Sequence, residues 1–297
     1  MINIHNGDVV ASSARRSGVP GEHVAFRESL ITGEVTTMAH DVRARVLAAT
    51  HQEELLRISN DLFEQQQLLD RVAEEEVVLW FEHDLFCLVH FLYLLQRLEA
   101  PRLEYIWHPT PLGQCDVDEL HQAFAARRPV SRSLIATAQQ VWRDYTSDDP
   151  TSLNNWLDAA DSLPFLREGL TLHASRFPST RNGLGAIENR LLAMIEPVSR
   201  DFPSLFDQFT AEAPRFGFGD SEVLRHVRAL ANRETPLLTM SDQTAKARLA
   251  ITPAGEQVLR GEADDLTLNE PDYWLGGAHL TKEKQWRWDG TQIIASR

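Results

Sequence analysis

The stretch from Val77 to Leu95, VVLWFEHDLFCLVHFLYLL, limits the folds open to this chain more than any other. Its first five residues are apolar and indicate a strand buried on both faces, whereas the apolar run from Leu85 to Leu95 indicates a buried helix. Three polar residues stand between the two segments: Glu82, His83 and Asp84. In a parallel α/β sheet such a junction lies at the carboxyl edge, where ligands bind. The stretch therefore predicts a fold class and the position of a site.

The rest of the first 110 residues repeats this alternation of short strands and helices. Residues 38–73 keep a helical spacing of apolar side chains, with one break near His51. Short apolar segments separated by helices indicate a parallel sheet with helices on both faces, of the Rossmann or flavodoxin-like type. The predicted strands are residues 1–5, 22–26, 77–81 and 103–107.

The remainder of the chain divides into two further parts. Residues 111–178 contain no good strand signal and are predicted to form a helical annex. From residue 179, three short helices and a β-hairpin follow in the order of a winged helix-turn-helix, and Asp289-Gly290 indicates a C-terminal β-hairpin. We therefore predict an α/β domain over 1–110, a helical annex over 111–178, and a winged-helix-like α+β domain over 179–297.

Composition limits the location and the partners of the protein. The net charge of −14 does not favour bulk electrostatic binding of nucleic acid, although a local basic face could still contact it. Two cysteines, Cys87 and Cys115, suit a reduced compartment. The N-terminal sequence MINIHNGD has no signal-peptide pattern, and the longest apolar run is too short to cross a bilayer. These features predict a cytoplasmic protein without a membrane partner, and they leave the oligomeric state open.

Three stretches near the start, HNGD, VAFRESL and WFEHDLFC, resemble the bacterial family catalogued as domain of unknown function 1835. The C-terminal stretches LTLNEPDYWLGGAHL and WRWDG resemble the companion domain of unknown function 3658. The resemblance covers about residues 2–110 and the C-terminal part, and it implies a two-part architecture without implying a reaction. The chain departs from the expected pattern at Ser29 and Thr32, where an acidic residue and a histidine are expected, and at Leu88, where a glutamine is expected.

Carboxylates at the ends of strands one and three form the candidate metal site. In a flavodoxin-like strand order these strands are neighbours, which would bring Asp8 close to Glu82 and Asp84. Such a set could hold Mg²⁺ or Mn²⁺, because both ions prefer oxygen ligands. The alternative is that Asp8 and Asp84 are helix N-caps. Capping leaves Glu82 and His83 unexplained. No sequence feature indicates NAD, FAD or zinc.

Other polar residues at the same edge are candidates for catalysis and substrate binding. His5, His83 and Glu82 could move a proton. Arg27 could hold a phosphate or carboxylate group in a bidentate manner, or it could form an ion pair with Asp8 or Glu28. The predicted substrate-binding set is Asn6, Arg27, Glu28 and Arg287.

Two functions remain open at this point. The first is an enzyme that acts at the carboxyl edge on a small phosphorylated or nucleotide-like substrate and uses a divalent metal. The second is a ligand-sensing α/β domain fused to a DNA-binding winged helix. In that case Arg225, Arg228 and Arg233 on the predicted recognition helix would contact DNA. We predict that Asn6, Asp8, Arg27, Glu82, His83 and Asp84 all lie around one cleft.

Overall fold

A computed structural model describes residues 1–159, 163–196 and 198–296. Its main feature is a five-stranded sheet with the order β2-β1-β3-β4-β5. The first four strands are parallel, as predicted, and β5 is antiparallel to β4. The strands are β1 (Ile2–Asn6), β2 (Glu22–Phe26), β3 (Glu76–Glu82), β4 (Arg102–His108) and β5 (Arg128–Pro129). The predicted α/β class and the adjacency of strands one and three are therefore confirmed.

Helices cover both faces of this sheet. The fourth helix is the centre of the main core, because its residues from Cys87 to Leu95 are all buried. The predicted break near His51 is real: one helix ends there, and Gln52 takes a left-handed conformation with φ of 56°. The helices of this part are α1 (Asp8–Ser17), α2 (His40–His51), α3 (Leu55–Arg71) and α4 (Leu85–Arg97).

The predicted helical annex is mostly helical, with two corrections. Residues 128–129 form the short strand β5 where no strand was expected. The single helix predicted over 154–175 is divided into two helices, because a proline, Pro164, interrupts a helix. Residues 160–162, between the two helices, lie outside the described residues. The helices here are α5 (Val117–Ala125), α6 (Arg132–Tyr145), α7 (Asn154–Leu157) and α8 (Leu166–Ala174). Both α6 and α8 contact α4, so the annex shares the main core.

The C-terminal part has the predicted order of helices and hairpin. Its three-stranded sheet is antiparallel, with the order β6-β8-β7. The elements are α9 (Ala186–Ile195), β6 (Arg200–Asp201), α10 (Phe202–Glu212), α11 (Asp220–Ala231), β7 (Leu238–Met240), β8 (Arg248–Ile251), α12 (Pro253–Arg260) and α13 (Asp265–Leu268). Assignment of this part to the winged-helix class stays a prediction, as do the three domain boundaries.

Two small hairpins end the chain. Strand β9 (Tyr273–Leu275) pairs with β10 (Ala278–Leu280), and β11 (Trp286–Trp288) pairs with β12 (Ile293–Ala295). The second hairpin turns at Asp289-Gly290 as predicted, with φ of 102° at Gly290. Among the described residues, no helix is both long and apolar enough to cross a membrane.

Candidate functional site at the carboxyl edge

A cleft of about 780 Å³ opens at the carboxyl edge of the sheet. Parallel strands bring their carboxyl ends to the same edge, so the polar residues that follow three of the strands meet here. The residues contributed by these strand ends are Asn6, Asp8, Arg27, Glu28 and Glu82. We call this cavity the carboxyl-edge cleft. It contains four of the six residues predicted to share a cleft, whereas His83 and Asp84 do not line it.

The other walls come from parts of the chain that the sequence did not connect to this site. Helices α2 and α3 and the link between them contribute His51, Glu53, Arg57 and Asp61. The segment between α10 and α11 contributes Gly217 and Gly219, and the first turn of α11 contributes Ser221 and Glu222. The break near His51 and the Gly-Phe-Gly sequence before α11 were the available signals for these walls. The C-terminal part therefore covers the cleft.

Asp8 and Arg27 form an exposed bidentate ion pair within the cleft. Arg27 Nε donates to Asp8 Oδ2 at 2.9 Å, and Arg27 Nη2 donates to Asp8 Oδ1 at 2.6 Å. The hydrogen bonds from Arg27 hold the pKa of Asp8 below its usual value. Gly7, not Asp8, occupies the N-cap of α1. The capping alternative is therefore wrong for Asp8, and the ion-pair alternative for Arg27 is confirmed.

Glu28 belongs to a buried ion pair. Its two carboxylate oxygens accept from Arg43 Nε at 3.1 Å and from Arg43 Nη2 at 2.6 Å, and its side chain is only 3% exposed. A carboxylate held in this way cannot turn towards a ligand without leaving Arg43 buried and unpaired. The prediction of Glu28 as a substrate-binding residue is therefore corrected. Glu28 instead holds Arg43, and this buried pair stabilises the loop after β2.

Glu82 is the half-buried carboxylate of the cleft. It accepts a hydrogen bond from the backbone N–H of Leu112, which fixes one end of the group. Burial raises the pKa of Glu82 above its usual value, and this effect outweighs the hydrogen bond from Leu112. A half-buried carboxyl group with a raised pKa, in contact with a cleft, is a candidate for proton transfer.

Asp84 is the N-cap of α4 and lies behind the wall of the cleft. Its carboxylate accepts from the backbone N–H of Cys87 at 2.7 Å, so the capping alternative is confirmed for this residue. Burial raises the pKa of Asp84 to about 8. Glu82, Asp84 and Cys87 offer ligand atoms within 4.8 Å of one another, and this cluster could hold a metal. This cluster contains Cys87 and lacks Asp8, whose carboxylate is paired with Arg27.

The raised pKa of Asp84 predicts a dependence of stability on pH. The pKa rises from 3.8 to about 8 on folding, so between these values the folded protein holds a proton that the unfolded chain has released. The free energy of unfolding should therefore fall as the pH rises through this window. Asp84→Asn stays neutral and can still cap α4, so it should lose less stability between about pH 5 and about pH 8 than the wild type. Urea unfolding at both pH values measures this, and equal losses in the two proteins would contradict the assignment.

The two predicted proton-transfer histidines do not line the cleft. His5 is fully buried; its Nε2 lies 2.9 Å from His23 Nδ1, and its ring packs against Trp80. Burial lowers the pKa of His5 to about 3. His83 accepts from Trp107 Nε1 at 3.1 Å, and its ring packs against Phe165. Both catalytic assignments are corrected, because neither ring faces the cleft.

Asn6 and Arg287 also differ from their predicted roles. Asn6 lines the cleft, but its amide Nδ2 donates to Cys87 Sγ at 3.0 Å, and its Oδ1 lies 2.8 Å from His90 Nδ1. The side chain of Asn6 therefore ties β1 to α4. Arg287 is not near the cleft: its guanidinium contacts both carboxylate oxygens of Asp264 and the backbone oxygen of Ser179. Its role is to hold β11 against the loop before α13.

The predicted recognition helix, α11, packs against other parts of the protein. Glu222 on α11 accepts from the hydroxyl groups of Ser29 and Thr32 in the loop after β2. The three arginines proposed for DNA binding all contact protein groups: Arg225 contacts Glu222 and His226, Arg228 contacts Gln52 and Gln243, and Arg233 pairs with Asp265. These contacts weaken the DNA-binding alternative, because the three arginines do not form an open basic surface.

The sequence matches no known protein-family model, and comparison with curated proteins finds no match. The resemblance to the two domain families described above therefore stays a prediction.

Proposed function

We propose that the protein is an enzyme that binds a phosphorylated or nucleotide-like substrate in the carboxyl-edge cleft. The observation that supports this proposal is that the N-termini of two helices, α1 and α11, lie at this cleft. α1 begins behind Gly7 and α11 behind Gly219, and neither N-cap residue has a side chain to cap the helix. The first N–H groups of a helix and its dipole favour an anion, and phosphate groups are bound in this way in many α/β proteins.

Arg27 is the cation that we assign to the phosphate. Its present partner, Asp8, is exposed, and such a surface pair contributes only about 0–1 kcal/mol to stability. A phosphate group can therefore replace Asp8 at small cost and keep the bidentate geometry of the guanidinium. Arg57, which pairs with Glu53 at 2.7 Å, also lines this cleft.

The carboxylates of the cleft fit the remainder of such a ligand. Acidic side chains accept hydrogen bonds from sugar hydroxyl groups in nucleotide-binding sheets. Mg²⁺ is commonly held by one or two carboxylates together with the phosphates of a substrate. We assign Glu82 to this position, with Mg²⁺ or Mn²⁺ between it and the phosphate. A bound cation would also offset the excess of acidic over basic side chains in the lining of the cleft.

Calorimetric titration of the full chain with adenosine mono-, di- and triphosphate, and with a sugar phosphate, tests the proposal. We expect one of them to bind more tightly with Mg²⁺ than with EDTA. Arg27→Ala should weaken this binding by about 10- to 100-fold, because it removes a charge-assisted hydrogen bond. Arg71→Ala is the matched control, since Arg71 forms a similarly exposed pair with Glu22 outside the cleft. Absence of binding by all four ligands, or equal effects of the two substitutions, would contradict the proposal.

Glu82→Gln tests both roles of this carboxylate. Glutamine keeps an oxygen for the N–H of Leu112, but it can neither transfer a proton nor hold Mg²⁺ as a carboxylate does. We therefore expect the variant to bind the ligand no more tightly with Mg²⁺ than with EDTA, and to lose turnover by about 100-fold or more. Phosphorus NMR of the tightest ligand, incubated with either protein, measures the conversion. An unchanged ligand with wild-type protein, or equal conversion by both proteins, would contradict the catalytic role of Glu82.

A further inference from the structure

A second cavity, of about 610 Å³, lies further along α11 towards its C-terminal end than the carboxyl-edge cleft. Ser221 and Glu222 face the cleft, whereas Arg225, His226 and Ala229 line the second cavity. Its other walls are α2, residues 183–188, and the stretch from Asp265 to Leu275. We call it the α11 cavity. Its lining includes the whole sequence NEPDYWL, residues 269–275, which the proposed function does not use.

Arg176 lines the α11 cavity and is a buried cation with neutral partners. Arg176 is only 4% exposed. Nη2 donates to the backbone oxygen of Ile31 at 2.7 Å, and Nη1 lies 3.5 Å from His173 Nδ1. Nε donates to no acceptor in the part of the chain that the structure describes. An arginine side chain stays charged in proteins, and buried charges are normally paired with an opposite charge.

The carboxylates nearest in the fold are bound to other groups. Glu188 Oε1 lies 2.6 Å from His226 Nδ1. Glu222 accepts from Ser29 and Thr32, and Arg225 Nε lies 3.5 Å from it. Neither carboxylate makes an ion pair with Arg176 among the described residues. An oxyanion entering the cavity would therefore supply an acceptor that the protein itself does not supply.

The mouth of the α11 cavity carries the opposite charge. Glu234, Glu270 and Asp272 line it and are exposed. Glu270 forms an ion pair with Lys282, and Asp272 Oδ1 lies 2.8 Å from His279 Nε2. These groups together leave a negative charge at the entrance, which repels a polyanion such as a nucleotide and attracts a cationic group. The partly buried ring of Trp274 lies in the same lining and adds apolar surface between the two charged regions.

We propose that the α11 cavity is a second ligand site, which takes a small zwitterion of the amino-acid type. Its carboxylate would pair with the guanidinium of Arg176, and its ammonium group would lie towards the acidic mouth. The cavity has space for such a molecule together with water, since pockets of this size hold small organic ligands. This site is separate from the carboxyl-edge cleft, and neither proposal depends on the other.

Thermal-shift and calorimetric titrations of the full chain with each of the twenty L-amino acids test this site. Inorganic phosphate and ethylammonium serve as anion-only and cation-only probes. We expect at least one amino acid to bind with a Kd below about 1 mM, and to bind at least about 10-fold more tightly than either probe. Failure of every amino acid to bind at about 10 mM, or binding of phosphate alone, would overturn the proposal.

Two variants locate the binding. Ala49→Trp places a large side chain at an exposed position in the lining, so it should fold and reduce amino-acid binding by at least about 10-fold. Ala136→Trp, at an exposed position of α6 away from the cavity, is the control and should leave binding unchanged. Arg176→Gln, where it folds, should reduce binding by a similar factor. Binding that survives Ala49→Trp unchanged, or that survives in folded Arg176→Gln, would overturn the proposal.

Discussion

Replacing Arg43 with methionine is expected to lower the free energy of unfolding by about 3–5 kcal/mol, because it leaves the buried carboxylate of Glu28 without its partner. Arg43 is only 2% exposed. Besides its two bonds to Glu28, it donates to the backbone oxygens of Ser29, Thr32 and Glu34. One side chain thus fixes the loop after β2, and this loop carries the groups that bind Glu222 of α11.

Urea unfolding at pH 7 measures the effect of Arg43→Met. Arg45→Met on the same helix is the matched control, because Arg45 forms an exposed pair with Asp41 and its loss should cost less than about 0.5 kcal/mol. A second substitution, Glu28→Gln, should restore part of the stability lost in Arg43→Met, since it removes the unpaired charge. If Arg43→Met lowered the free energy of unfolding by less than about 1 kcal/mol, the Arg43–Glu28 pair would not be what stabilises the loop after β2.

Gly217→Ala should destabilise the protein by about 2–4 kcal/mol, from the combined costs of backbone strain and overpacking. Gly217 has φ of 70°, a conformation that alanine rarely adopts. A Cβ at this position would also overlap the carboxylate of Asp84, which α4 holds in place through Cys87. Because the clashing atoms belong to a short, buried side chain, they cannot move aside easily.

Gly219→Ala is the matched control for Gly217→Ala. Gly219 lines the same cleft and has φ of −79°, which alanine adopts readily. A Cβ added at this position would have no atom within 4 Å. Its replacement should therefore cost less than about 1 kcal/mol, the usual difference between residues at an N-cap. Thermal unfolding of both variants gives the comparison. Equal losses of stability would mean that the close approach of Gly217 to Asp84 does not constrain this wall.

Connectivity alone was enough to predict the sheet and the position of the cleft. Short apolar segments followed by polar residues and helices can form a parallel sheet in few ways, and its carboxyl edge collects the residues after each strand. This is why Asp8, Arg27 and Glu82 were placed correctly together.

The partners of the side chains were not predictable in the same way. The contacts of Glu222 with Ser29 and Thr32 join residues about 190 positions apart, and no local pattern indicates them. The burial of His5 against His23 and Trp80 depends on the register of three strands. The basic residues of α11 suited DNA by composition, but packing against α2 and the loop after β2 decided their contacts. Such pairings follow from tertiary packing, which a single sequence does not specify position by position.

A crystal structure grown with Mg²⁺ and the adenosine phosphate that binds most tightly is the most direct test of the proposed function. We expect a phosphate group within hydrogen-bonding distance of the backbone N–H groups of Asp8 and Val9, the first two residues of α1, and of the Arg27 guanidinium, which would have left Asp8. We also expect Mg²⁺ between that phosphate and Glu82. A nucleotide bound in the α11 cavity, or on the outer surface with the Asp8–Arg27 pair intact, would contradict the proposed function.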